Sequence, residues 1–263
     1  GNLAFSSSTL IGTGGLNKAG LGTLTLSGAN TFAGTTTILA GSLVLANSDA
    51  LARSALVSST AVSFSSSVGS RTFNVGGLSG SVHMSLADTA GNPLTLRLGP
   101  VAYGTGTAIA PSYSGVLSGI GASLIKSGNS TQELSGQSLY TGYTNITAGN
   151  IGTGARPELI SNLQLAFGTG STNATNILPS TTILTFGGAA STMLGGGALT
   201  LVGAAATNAQ TVASTTLNPG LTTVTLTNSG TYALTLNLGT LTRNVGSTLN
   251  ANFGTSISST FNE

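Results

Sequence analysis

Residues 16–45 read LNKAGLGTLTLSGANTFAGTTTILAGSLVL, and this stretch is the strongest indication of the fold. Residues 124–151 read LIKSGNSTQELSGQSLYTGYTNITAGNI and repeat it without a gap, so that Leu124 corresponds to Leu16 and Gly149 to Gly41. A lysine, a Leu-Ser-Gly triplet, an aromatic residue and a closing Ala-Gly fall at the same positions in both copies. A fixed-spacing repeat of this kind is typical of a solenoid, in which each coil stacks on its neighbour.

Short runs that alternate apolar and polar residues recur along the rest of the chain. Residues 24–26, 94–98 and 234–238 are examples, and turns rich in Gly, Asn and Ser separate such runs. Alternation with a period of two indicates a strand with one buried face, and glycine suits sharp turns. The sequence therefore predicts an all-β fold, a parallel β-helix (β-solenoid), with little or no helix. At residues 47–53 a short helical turn competes with an irregular loop.

Charge is scarce in this chain. Charged residues make up 5% of it, against about 25% in an ordinary soluble domain, and the net charge is +2. Because so few cations cannot neutralise a row of phosphates, we exclude nucleic acid as a partner. The chain has no cysteine, which excludes a disulfide framework and a zinc–thiolate site. No run of 18 apolar residues occurs, so we expect no membrane insertion of this segment.

Side chains that could carry chemistry are few and scattered. His83 is the only histidine, and the strand alternation around it indicates an exposed position. Glycoside hydrolysis needs two carboxylates within about 10 Å. Asp49, Asp88, Glu133 and Glu158 share no repeat position and form no acidic cluster along the chain. The sequence therefore predicts no catalytic residue, no metal site and no cofactor, so we do not expect an enzyme.

The repeat itself contains residues that could contact a ligand. Lys18 and Lys126 are equivalent, and we expect both to be solvated or to pack at a corner of the repeat. Tyr140 corresponds to Phe32, so we expect its ring to be buried. Tyr143 is the better candidate for an exposed ring that stacks on a sugar.

The two repeated segments resemble a known family, the autotransporter-associated β-strand repeat. Residues 16–45 resemble it almost throughout, whereas residues 124–151 are similar more loosely, because Thr131-Gln132-Glu133 interrupts the usual Gly-Thr-Leu-Thr. This repeat recurs in the passenger regions of very large bacterial surface proteins. The resemblance implies a right-handed parallel β-helix that is extracellular or displayed at the bacterial cell surface.

Apolar residues lie close to both ends of the sequence. Leu3 and Phe5 lie at one end, and Phe253 and Ile257 at the other. Open strand edges invite pairing, and almost no charge opposes it here. We therefore predict self-association through Leu3, Phe5, Phe253 and Ile257, with identical subunits stacked end to end. The alternative is that flanking repeats of a longer chain cover these edges.

The expected organisation is a single continuous β-solenoid over residues 1–263, with internal units at about 1–115 and 116–263. Its expected role is that of a non-catalytic extracellular structural protein, a rod that spaces, adheres or polymerises. One alternative is an adhesin or carbohydrate-binding module with surface glycans as partners, which would show exposed aromatic rings in a row. The second alternative is a degenerate polysaccharide-degrading β-helix, which would show carboxylates converging in one groove.

Overall fold

The structure, a computed structural model, describes residues 1–5, 8–99, 111–147, 161–167, 175–188, 196–204, 206–228, 232–253 and the backbone of 259–262. These residues form short strands joined by turns and irregular segments, without a helix. The first strands in chain order are β1 Leu3–Phe5, β2 Leu16–Lys18, β3 Thr23–Leu26, β4 Thr36–Ile38, β5 Ser42–Leu45, β6 Leu51–Ser58, β7 Val62–Phe64, β8 Thr72–Ser79, β9 Met84–Ser85, β10 Thr95–Leu98, β11 Ser112–Tyr113, β12 Leu117–Gly119 and β13 Ser123–Lys126. The later strands are β14 Thr131–Leu134, β15 Leu139–Tyr140, β16 Thr144–Ile146, β17 Asn162–Ala166, β18 Ile183–Phe186, β19 Ala198–Gly203, β20 Asn208–Thr211, β21 Ser214–Leu217, β22 Gly220–Asn228, β23 Leu234–Asn237, β24 Thr240–Arg243, β25 Ser247–Phe253 and β26 Ser259–Asn262.

Paired strands in the described residues run parallel and join one coil to the next. Leu24 of β3 pairs with Leu43 of β5, and Leu43 pairs with Val62 of β7, so these two coils have the same length. Later coils are longer, since Leu96 of β10 pairs with Leu124 of β13. The predicted all-β fold with parallel coil-to-coil pairing is confirmed, and the structure is that of a parallel β-helix.

Each full coil contributes to three faces of the stack. The first face holds β1, β3, β5, β7, β9, β12, β15, β20, β23 and β26. The second face holds the first half of β8 and then β10, β13, β16, β18, β21 and β24. The third face holds β2, β4, the second halves of β6 and β8, and then β11, β14, β17, β19, β22 and β25. Isolated bridges continue the first face, at Phe64–Asp88 and Thr175–Ala209, and the third face, at Gly80–Tyr113.

Strand β8 runs through the corner between the second and third faces. Its first half, Thr72–Val75, pairs with β10, whereas its second half, from Gly77, pairs with β6. For this reason one hydrogen-bonded sheet of ten strands, from β2 to β24, extends over two faces of the solenoid.

The core lies inside the coils, where the inward positions of successive strands stack. In β3 the inward residues Leu24 and Leu26 are buried, and the alternating Thr23 and Thr25 are half-buried. The stack of inward side chains continues to Phe64, whose ring centroid lies 4.8 Å from that of Phe73 on the second face. Each fully buried side chain of this kind contributes roughly 1.5–3 kcal/mol, so the stack is held by many similar increments.

The helical turn considered for residues 47–53 does not form. Residues 48–50 make a turn, in which the Asn47 Oδ1 atom accepts the N–H of Asp49 at 2.9 Å, and β6 begins at Leu51. Leu51 pairs with Val75 of the next coil, so the parallel ladder outweighs the local preference for a cap. The division into units at about 1–115 and 116–263 stays a prediction.

Candidate functional site

The N-terminal end of the coil stack exposes part of the core. Strand β1 is an edge strand, and within the described residues its one strand partner is β3. Leu3 is 56% exposed, and Phe5 is half-buried against the core. Together with Leu16 and Leu24 they line an open cavity of about 390 Å³. Two of the predicted self-association residues therefore lie together at an open strand edge.

The opposite end of the stack carries the edge strands β24 and β25. Phe253 of β25 is 47% exposed and lies in register with Leu226 of β22. Leu241 and Leu249 are partly buried against the core. The structure thus separates Phe253 from Leu3 and Phe5 by the whole length of the coil stack. Ile257, the fourth predicted residue, lies outside the described residues.

The two equivalent lysines are buried, and each packs at a corner. The Lys18 Nζ atom donates to the carbonyl oxygens of Ala19 at 3.1 Å, Gly20 at 2.6 Å and Ala40 at 3.0 Å. Lys126 has no exposed surface, and burial lowers its pKa to about 7. Of the two expectations for these lysines, corner packing is confirmed and solvation is wrong.

These equivalent lysines lie on different faces of the solenoid. Lys18 pairs with Ile38 on the third face, and that face continues through the second halves of β6 and β8 to Tyr113 of β11. Lys126 pairs with Leu98 on the second face. Each copy of the repeat therefore forms a corner of the solenoid, but the two copies place their lysines on different faces.

The described carboxylates are each held by a local structure. The Asp49 Oδ1 atom accepts from Asn74 Nδ2 at 2.5 Å. On the first face, Asp88 accepts from the N–H groups of Ala90 and Asn92 at 2.9 Å each. Burial pushes the pKa of Asp88 up, but these hydrogen bonds, those from the Asn92 side chain and the charge of Arg71 together outweigh it, so the pKa lies below its usual value. The loop is therefore a structural turn around an ionised Asp88.

Arg71, Glu133 and His83 also have polar partners. Arg71 Nε lies 3.6 Å from the Asp88 carboxylate. On the third face Glu133 accepts from Ser112 Oγ at 2.6 Å and from Gln164 Nε2 at 2.7 Å. His83 is exposed, as predicted, and its Nδ1 atom accepts the N–H of Val116 at 3.0 Å. Asp88 and Glu133 lie on different faces, so they do not flank a common groove. Glu158 lies outside the described residues.

Two buried glutamines were not predicted from the sequence. The side-chain amide of Gln132 mimics a strand: its Oε1 atom accepts the N–H of Leu78 at 2.9 Å, and its Nε2 atom donates to Leu78 O at 2.8 Å. Gln210 makes the same pair of bonds with Leu178, at 3.0 Å and 3.1 Å. The alternation of the strand could have indicated that Gln132 is buried, since Gln132 shares the inward side of β14 with Leu134.

The tyrosines divide into buried and exposed groups. Tyr140 is fully buried, as its correspondence with Phe32 predicted, and burial raises its pKa. Tyr113 is also buried, and its hydroxyl donates to Val82 O at 2.5 Å. Tyr143 is 41% exposed, as predicted, and Tyr232 is 47% exposed.

The described residues contain no group of three or more His, Cys, Asp or Glu side chains that could hold a metal ion. Among the described residues, no helix is long and apolar enough to cross a membrane.

Comparison with known proteins identifies the repeat. No curated protein and no solved structure matches the chain. The family model described as passenger-associated-transport-repeat matches residues 16–45 and residues 124–151. A repeat of passenger segments points to a secreted or surface-exposed passenger. The chain thus carries two copies of the passenger-associated-transport-repeat, the family that its sequence resembles.

Proposed function

We propose that this chain is a non-catalytic structural segment of a bacterial surface passenger, a rod that spaces other parts of the protein from the cell. The observation that carries the proposal is where the repeated side chains lie. Lys18 and Lys126 are both buried, and so are Phe32 and Tyr140. Residues that recur in the repeat are therefore used to close corners and fill the core.

The two alternatives find less support in the described part of the chain. A row of exposed aromatic rings would favour glycan binding, but Tyr143 precedes β16 on the second face and Tyr232 precedes β23 on the first. A polysaccharide-degrading site would favour paired carboxylates in one groove. Asp88 and Glu133 lie on different faces and are each held by neighbouring polar groups.

Self-association is a second proposed property of the same rod. The edge of β1 and the open cavity beside Leu3 and Phe5 favour it, because one more parallel coil would pair this edge and fill the cavity. The head-to-tail contact of one end with the other does not close on itself, so it generates a filament. A second copy of the chain and a flanking coil of a longer chain would satisfy the edge in the same way.

The test of the proposed function is a panel of bacterial and plant polysaccharides, assayed for binding and for release of reducing ends. We expect neither from the wild type, and we expect His83→Ala, Asp88→Ala and Glu133→Ala to behave identically. Hydrolysis by the wild type that any of these variants loses would contradict the proposal. Saturable binding that Tyr143→Ala abolishes would favour the glycan-binding alternative.

A further inference from the structure

Lys126 holds its amine in a closed cluster of oxygen atoms at the corner after β13. Its Nζ atom lies 2.5 Å from Ser127 O, 3.5 Å from Ser130 Oγ and 3.4 Å from Ser161 Oγ. Ser161 is fully buried and directly precedes β17, in the coil that follows β13. The amine therefore connects the corner of one coil to the next coil.

The equivalent lysine provides an internal comparison. The neighbours of Lys18 Nζ are three backbone carbonyl oxygens, which can only accept hydrogen bonds. Three acceptors use all three donors of an ammonium group. At Lys126 two of the three neighbours are hydroxyl groups, each able to donate as well as to accept. A neutral amine satisfies this cluster by donating to Ser127 O and to one serine hydroxyl while accepting from the other.

No opposite charge compensates Lys126 within the described residues. The neighbouring second-face strands are β10, which carries Arg97, and β16, which has no ionisable side chain. Arg97 stands beside Ile125 at an outward position. On the third face, Glu133 of β14 is bonded to Ser112 and Gln164, and β17 has no ionisable side chain.

In the next coil, Tyr140 precedes β16; its hydroxyl bonds Thr144, and burial raises its pKa. Burial is also the cause that lowers the pKa of Lys126 to about 7. Buried here, and with no carboxylate partner among the described residues, an ammonium at this position would be poorly compensated.

We propose that Lys126 is a proton-linked latch, in which the neutral amine closes the corner at Ser127–Ser130 onto Ser161 and the ammonium form opens that corner to water. The proposal is independent of the rod function, since it concerns the stability of one step in the coil stack.

The direction of the effect follows from linkage. In an open corner the lysine has its ordinary pKa of 10.5, whereas in the closed corner the pKa is about 7. Between these values the open state binds more protons, so each unit of falling pH favours opening by up to about tenfold. Below about pH 7 both states are protonated and the effect reaches a plateau. The latch is therefore tightest at alkaline pH and weakest in acid.

The direct test is an NMR titration of the Lys126 side chain in the wild-type chain, followed through its ¹³Cε chemical shift. We expect a midpoint near 7. Hydrogen exchange of the amides of residues 127–130, corrected for its intrinsic pH dependence, should rise as the pH falls from about 10 to 7. A midpoint near the ordinary value of 10.5 would overturn the proposal.

A pair of variants supplies the control. Lys126→Met should remove the pH dependence of stability between about pH 7 and 10 that the wild type shows, measured by denaturant unfolding. Lys18→Met removes the equivalent lysine and should leave that dependence unchanged. Parallel stability profiles for the wild type and Lys126→Met over this range would overturn the proposal. Should Lys126→Met fail to fold, the wild-type titration decides alone.

Discussion

Lys18 and Lys126 hold the same position of the repeat, yet they lie one face apart around the solenoid. From β2, the third face is revisited at β4, β6, β8, β11 and β14, so β14 lies five coils further on. Strand β13, which carries Lys126, precedes β14 by one face. From Lys18 to Lys126 the chain therefore makes almost five turns of the solenoid and stops one face short of the fifth. The second copy is thus rotated about the solenoid axis relative to the first.

This rotation is possible because one pattern suits every face of a parallel β-helix. A strand needs only an inward apolar alternation and a corner that turns the chain, and both copies provide them. Outward residues of the two copies consequently point in different directions, which does not suit a continuous binding strip built from repeated residues. The rotation therefore favours the structural role.

The buried hydroxyl chain at Tyr140 should contribute measurably to stability. Thr182 donates to Gly142 O at 2.9 Å, so Thr144 donates to Thr182 at 3.1 Å and Tyr140 donates to Thr144 at 2.6 Å. Tyr140→Phe should lower the free energy of unfolding by about 1 kcal/mol. The control Tyr143→Phe alters an exposed ring and should stay within about 0.5 kcal/mol. Equal effects of the two variants in urea unfolding would contradict the assigned burial.

The glycine two residues after each repeat lysine offers a matched pair. Gly20 and Gly128 have φ values of +76° and +73°, where a side chain is strained by about 1–2 kcal/mol. A Cβ atom at Gly20 meets nothing within 4 Å, whereas one at Gly128 overlaps the carbonyl oxygen of Gly99 in the preceding coil. Gly128→Ala should therefore cost about 1–3 kcal/mol more than Gly20→Ala in denaturant unfolding. A larger cost at Gly20 would refute the coil contact at Gly128.

Gln132 replaces a missing stretch of strand, and its loss should be costly. Gln132→Ala leaves the N–H and C=O of Leu78 and the carbonyl of Pro111 without this partner. Each buried polar group left unsatisfied costs about 1–3 kcal/mol. We expect a loss of at least about 2 kcal/mol in thermal or urea unfolding. Gln164→Ala, on the outer side of the same face, should cost less than about 1 kcal/mol, and a reversed order would contradict the buried position of Gln132.

The sequence predicted the fold class well because alternation and the repeat report directly on strands and stacking. It could not predict the rotation of the second copy, because coil length varies along the chain. The coil from Leu24 to Leu43 is shorter than the coil from Leu96 to Leu124. An offset in residues therefore does not give an offset in turns.

The role of Gln132 and the neutral surroundings of Lys126 also depend on contacts between coils, which no local pattern encodes. For the predicted ends, the structure places Leu3 and Phe5 together, while the self-association itself stays a prediction.

Charge at the open N-terminal edge should prevent end-to-end stacking. Phe5→Lys places an ammonium beside the cavity that a further coil would fill, so the variant should remain folded and monomeric while the wild type associates with rising concentration. Leu139→Lys is the control, because Leu139 is 59% exposed in the middle of the stack and should not affect association. Light scattering and electron microscopy provide the readout. A wild type that is strictly monomeric at high concentration would leave only a flanking coil of a longer chain as the partner of this edge.

Disulfide trapping measures whether the chain forms one parallel coil stack in which the two repeats lie one face apart. The chain has no native cysteine, and adjacent parallel strands bring Cα atoms within the roughly 4.4–6.8 Å that a disulfide needs. The Gly80–Tyr113 bridge places Ser79 beside Ser112 on the third face. If Lys126 instead lay on the same face as Lys18, its partner strand β10 would follow the second half of β8, and Arg97 would lie beside Ser79. We expect efficient oxidation of the Ser79→Cys/Ser112→Cys pair and none of Ser79→Cys/Arg97→Cys, and the opposite result would contradict the arrangement of the two repeats on different faces.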